Sequence, residues 1–141
     1  MDSSSVSMAQ RIAQAAVASE EQRSGHRPKS VTVVMSHDTL VITLHDALSP
    51  AEKALAVSPE GAAQLQEFHQ ELFSKASDPL RREINRITGV EVRDAAAEVE
   101  PAAGAVVKVF TTGTIVQVFL LAERVATDVW SDGGGAGKAM I

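Results

Sequence analysis

The side chains whose type could support acid–base or metal chemistry near neutral pH are four histidines, His26, His37, His45 and His69, because imidazole titrates in that range and ligates metals through a ring nitrogen. None belongs to a His-x-His or His-Glu-x-x-His pair, the spacings that bring two ring nitrogens to one ion. His45-Asp46 supplies the types of an acid–base pair, but neighbours on a strand point to opposite faces. Glu52 is the third residue an undetected catalytic reading could use with His45 or Asp46. No Ser, His and acid set follows from spacing, so the chain reads as non-enzymatic, with no cofactor and no metal site. The Gly-rich stretch ending Gly137-Lys138 fails as a phosphate loop: Asp132 stands where Gly is required, Ala139 where a hydroxyl is required, and no helix follows.

Two basic elements remain as binding candidates. Gly25-His26-Arg27-Pro28-Lys29 is expected to be a loop, where binding residues concentrate, and it could serve a small-molecule or anion sensor; the plain alternative is a helix stop. Arg81, Arg82, Arg86 and Arg93 form the densest basic group, either an exposed helix face interleaved with Glu83 or a site for an anion or acidic partner.

A formal charge of -5 over 141 residues disfavours nucleic acid, whose non-specific affinity comes from Lys and Arg replacing counterions. There is no cysteine, hence no disulfide or thiolate chemistry. The first residues have neither a cationic nor an apolar signal region. The apolar run Thr114 to Ala122 is far shorter than the ~20 residues a spanning helix needs, so no direct membrane insertion is expected. A cytoplasmic protein is the expectation, and one core suits the length.

Positioning these residues falls to an α+β domain. Residues 1–7 read as a disordered N-terminus, 8–124 as one domain, and 125–141 as an extended Gly-rich tail in which structure fades near Trp130. Met8 to Glu21 reads as an Ala-rich helix with Met8, Ile12, Ala15, Ala16 and Ser19 on one side and Glu20 elsewhere, stopped by Gly25 and Pro28. Val31 to Leu44 predicts a hairpin around His37-Asp38, pairing Met35 with Leu40, Val33 with Ile42 and Val31 with Leu44 on one face. Ser49-Pro50-Ala51-Glu52 predicts a capping box opening a short helix. Ser58-Pro59 opens a long helix with a buried line Leu65, Phe68, Leu72 and His69 at its boundary. Asp78-Pro79 breaks it, and Leu80, Ile84 and Ile87 form one face of the remainder as far as Gly89.

Three antiparallel strands should follow, with the helices on one face of the sheet. Val90 to Pro101 contains an alanine patch suggesting a bulge or a close helix. Ala105 to Thr111 and Thr114 to Leu121 should pair around Thr112-Gly113, with Val116, Val118 and Leu120 on the core side. The opposite side then gathers Val106, Phe110, Ile115 and Phe119, either covered within the chain by the first helix or residues 125–130, or used as a subunit interface. Two sheet edges and this apolar side make a homo-oligomer the expectation, with a dimer favoured.

Gly25-x-x-Pro28, the His37-Asp38 hairpin, Leu48-Ser49-Pro50-Ala51-Glu52-Lys53 with Ala56, and Ile87-Thr88-Gly89-Val90-Glu91-Val92 together resemble the MpsC family over roughly Met8 to Leu121. Family members usually carry Gly-Arg-Gly-Pro where this chain has Gly25-His26-Arg27-Pro28, and they usually end soon after one final strand, whereas this chain adds Thr114 to Leu121. The resemblance implies association with a membrane-potential-generating or inorganic-carbon uptake system. The chain would then be a soluble accessory or regulatory binding protein with a membrane transporter subunit as partner.

Overall fold

A computed structural model describes residues 7–100, 113–125 and 138–140. The hairpin is the centre of the fold. β1 (Ser30–Ser36) and β2 (Thr39–His45) pair antiparallel with Met35 opposite Leu40, Val33 opposite Ile42 and Val31 opposite Leu44, the expected register. All six side chains are buried, because a period of two puts every apolar alternate on one face and a slip of one residue would turn them to solvent. His37 turns the chain in the left-handed region, φ 57°.

Among the described residues, four helices frame this ribbon. α1 (Met8–Ser24) starts at Ser7, which forms a reciprocal capping box with Gln10 and is therefore ordered rather than part of a disordered N-terminus, and ends at Gly25 with φ 80°. Its buried line is Ala9, Ile12, Ala13, Ala16, Val17 and Glu20, rotated from the expected one. Glu20 is buried because Arg23 answers it at 2.7 Å, and the Arg23 guanidinium lies over the Phe73 ring.

α2 (Pro50–Leu55) opens with the predicted capping box between Ser49 and Glu52. α3 (Pro59–Ala76) and α4 (Asp78–Thr88) abut through Ser77, so the break expected at Asp78-Pro79 produces two helices. α4 buries Leu80, Ile84 and Ile87 and stops at Gly89, as read. α3 is phased differently: Leu65, His69 and Phe73 are buried, whereas Phe68 is 52 % exposed and Leu72 half-buried. Both lines have helical spacing, and the packing partners of Phe73 decide between them.

The later strands depart most from expectation. β3 (Val92–Glu100) and β4 (Thr114–Leu121) pair with Glu100 opposite Thr114, and β4 pairs along its other side with β2. Both edges of β4 are thus occupied, so the expected pairing of this strand with Ala105 to Thr111 is not its pairing; those residues lie outside the described set. β5 (Lys138–Met140) adds antiparallel to β1, which corrects the reading of the tail as structureless beyond Trp130. The order is β3-β4-β2-β1-β5. β2 and β3 run in the same direction, each antiparallel to β4, and α2, α3 and α4 connect them across the sheet as a split β-α-β crossover.

The faces of β4 are also exchanged relative to the sequence reading. Ile115, Gln117, Phe119 and Leu121 are buried, while Val116, Val118 and Leu120 are half-buried on the far side. Pairing Phe119 with Leu40 on the face already occupied by Ile42 and Leu44 dictates this. Phe119 meets Phe73 edge-on with centroids 5.8 Å apart. A bulge falls between Val92 and Asp94, just before the alanines, and Ala95 and Ala97 are packed against the core, so both features expected of this stretch are present.

Candidate functional site

The strongest polar constellation lies between α2 and α3. Ser49 and Pro50 start α2 with Glu52 at its third position, and the Glu52 side chain folds back so that Oε1 accepts the Ser49 N–H at 2.9 Å. The other oxygen, Oε2, accepts from Nε2 of His69 at 2.7 Å. His69 reaches it because α3 crosses against α2, with the backbone of Gly61 pressed on Leu55. The imidazole is 5 % exposed and the carboxylate 19 %. Burial opposes charge on Glu52, but the Ser49 and His69 donors outweigh it and hold the carboxyl below its ordinary value. Phe68 stacks its edge against the His69 ring, centroids 5.3 Å apart.

Around this pair the surface is apolar. Leu55 is 47 % exposed, Val57 85 % and Phe68 52 %, the large hydrophobic side chains most open to solvent among the described residues. All three belong to the α2–α3 pair. Exposed aliphatic and aromatic groups thus accompany a partly buried, hydrogen-bonded Glu52–His69 latch, and interface cores in general favour such anchors.

The loop singled out in the sequence lies along the end of β2. Gly25 ends α1, Pro28 is buried, and the Lys29 N–H donates to the His45 carbonyl at 2.9 Å. His26 Nε2 sits 3.2 Å from the Asp46 carbonyl, and Arg27 pairs with Glu21 at 3.5 Å. Asp46 turns with φ 51° and pairs with Lys53 of α2, whose hydrogen bond holds its carboxyl below the ordinary value. The loop is thereby tied to β2 and, through Asp46, to α2.

The residues of the catalytic reading each take a different partner. His45 Nε2 pairs with the Thr32 hydroxyl at 2.9 Å on the sheet face away from the helices, Asp46 with Lys53, and Glu52 with His69. Of the interface candidates, Ile115 at 3 % and Phe119 at 0 % exposure are buried within the chain, Phe119 against Phe73 of α3, and so offer no surface to a second copy. Val106 and Phe110 lie outside the described residues. In the basic group, Arg86 pairs with Glu83 on an exposed face, while Arg81 turns inward with Nε buried. His69 was legible as a histidine beside a buried line; its Glu52 partner, seventeen residues away, had no local signal.

Residues 4–114 match the family model described as Na+-translocating membrane potential-generating system (MpsC). The chain belongs to the MpsC family. The match spans the latch, the loop at Gly25 and β3, and it stops as β4 begins, so most of the strand between β2 and β3 lies beyond it. Comparisons with the curated proteins and with the solved structures find no match. Among the described residues no helix is long and apolar enough to cross a membrane.

Proposed function

We propose that this MpsC-family chain is a non-enzymatic accessory protein that docks, on the cytoplasmic side, onto a protein subunit of a Na+-translocating membrane system through the α2–α3 pair. Family membership carries the reading, since the family is described by that system. The exposed Leu55, Val57 and Phe68 over the Glu52–His69 latch support the choice of surface. Burying large apolar side chains of this kind contributes roughly 1.5–3 kcal/mol each, enough for a few anchors to dominate an interface.

Co-sedimentation tests it. The chain should bind saturably to native membranes that contain the ion-translocating system, and the double substitution Val57→Ser with Phe68→Ser should weaken binding at least ~10-fold, the loss of about 1.4 kcal/mol or more. Equal binding to protein-free vesicles of the same lipids, or indifference to the double substitution, would count against the reading.

A further inference from the structure

A second site, independent of the docking surface, lies where α3, α4 and β3 meet. The side chains of β3 facing the helices there are Ala95 and Ala97, too small to fill the space beneath α3, and a cleft of about 320 Å³ remains. One wall is Ala95 to Ala97 with the Phe73 ring; the other carries Ser74, Ser77 and Arg81.

Two observations point to a ligand. Ser77 occupies the N-cap of α4 and is only 3 % exposed, yet its hydroxyl makes no capping bond to the helix and lines the cleft instead. Arg81, one turn further on, has a buried Nε with no hydrogen-bond partner and takes part in no ion pair among the described residues. An unanswered buried donor is costly, which marks it as a group whose partner comes from outside the fold.

We infer that this cleft binds a phosphate group, free or as a monoester, with the Arg81 guanidinium and the Ser77 and Ser74 hydroxyls as donors. All three side chains offer N–H or O–H donors, which suits an anion with several acceptor oxygens. The volume is about tenfold a water's share of ~30 Å³, more than an inorganic ion fills, and the alanine wall suits a small organic remainder. Arg81 is the recognition residue; Ser77, which makes no capping bond, orients the anion through its hydroxyl.

Calorimetric titration with inorganic phosphate and with glycerol 3-phosphate, against sodium chloride at matched ionic strength, tests this. Both phosphates should bind and raise the melting temperature, and chloride should not. Arg81→Gln should weaken binding at least ~10-fold and Ser77→Ala about 3–10-fold, while Arg82→Gln on the exposed side of the same helix leaves it unchanged. Tighter binding of the ester assigns the cleft to phosphomonoesters, equal binding to the free ion. Should Arg81→Gln fail to fold, amide shifts of the unsubstituted protein decide: perturbation concentrated at Ser77, Asp78, Leu80 and Arg81 supports the site. Absence of binding, shifts centred elsewhere, or an Arg82→Gln loss equal to that of Arg81→Gln would overturn it.

Discussion

His69 Nε2 and Glu52 Oε2 stand 2.7 Å apart and join two helices that the chain connects only through a short turn at Ala56, Val57 and Ser58. The pair is local in space and remote in sequence, and it fixes how Leu55, Val57 and Phe68 are presented. Replacing His69 by Ala should remove about 1–3 kcal/mol of stability by leaving Glu52 without a donor on Oε2 and a gap beside Leu65 and Phe73. Chemical denaturation measures it; a change below ~0.5 kcal/mol would mean that the latch does not hold α2 on α3.

The same pair sets an acid limb. Glu52 titrates below its ordinary value of 4.5 in the folded chain, so the unfolded state takes up its proton first as pH falls. The stability it contributes is complete above the unfolded value and is lost as pH drops through the lower folded value. Denaturation midpoints should therefore decline below about pH 4.5, and Glu52→Gln should flatten that part of the decline while lowering the plateau at neutral pH. An unchanged acid limb in the variant would remove Glu52 from the account.

Gly61 is required by a close approach. A Cβ there would stand 1.9 Å from the Leu55 carbonyl oxygen, so the backbone of α2 or α3 would have to move. Gly61→Ala should destabilise by roughly 2 kcal/mol or more despite the ~1 kcal/mol that Ala gains over Gly in a helix. At Gly25 nothing lies within 4 Å of the added carbon and only φ 80° opposes it, so Gly25→Ala should cost about 1–2 kcal/mol. The pair of melting curves separates steric from conformational glycine.

Gln117 is 1 % exposed in the middle of β4, and neither atom of its amide has a hydrogen-bond partner. Gln117→Met keeps the volume and removes the buried amide, and should stabilise the chain by about 1–2 kcal/mol. Destabilisation would show that the amide is satisfied in solution.

The hairpin and the caps were legible because each is written in adjacent residues: the period-two rows from Val31 to Leu44, Ser49 with Glu52, Gly89 after Ile87. The helix phases were less so. Leu65, Phe68 and Leu72 repeat as regularly as Leu65, His69 and Phe73, and the choice depends on Phe119 arriving from another strand. Glu20 and His69 were read as peripheral because their types favour water, and each is buried by a partner, Arg23 and Glu52. The insertion of β4 between β2 and β3 was hidden for a different reason. Thr112-Gly113 between the apolar runs Ala105 to Thr111 and Thr114 to Leu121 suggests a hairpin locally, whereas the sheet order is set by pairings that span most of the chain. Family membership was legible in the ordered motifs, and the Arg81 cleft was not, because nothing local marks a buried Nε.

The docking claim is met most directly by a photo-crosslinking amino acid placed at position 68 and, as a control on the exposed side of α1, at position 14. In native membranes the account predicts a covalent adduct between position 68 and a subunit of the Na+-translocating system, and none from position 14. No adduct from position 68, or the same adducts from both positions, would contradict it.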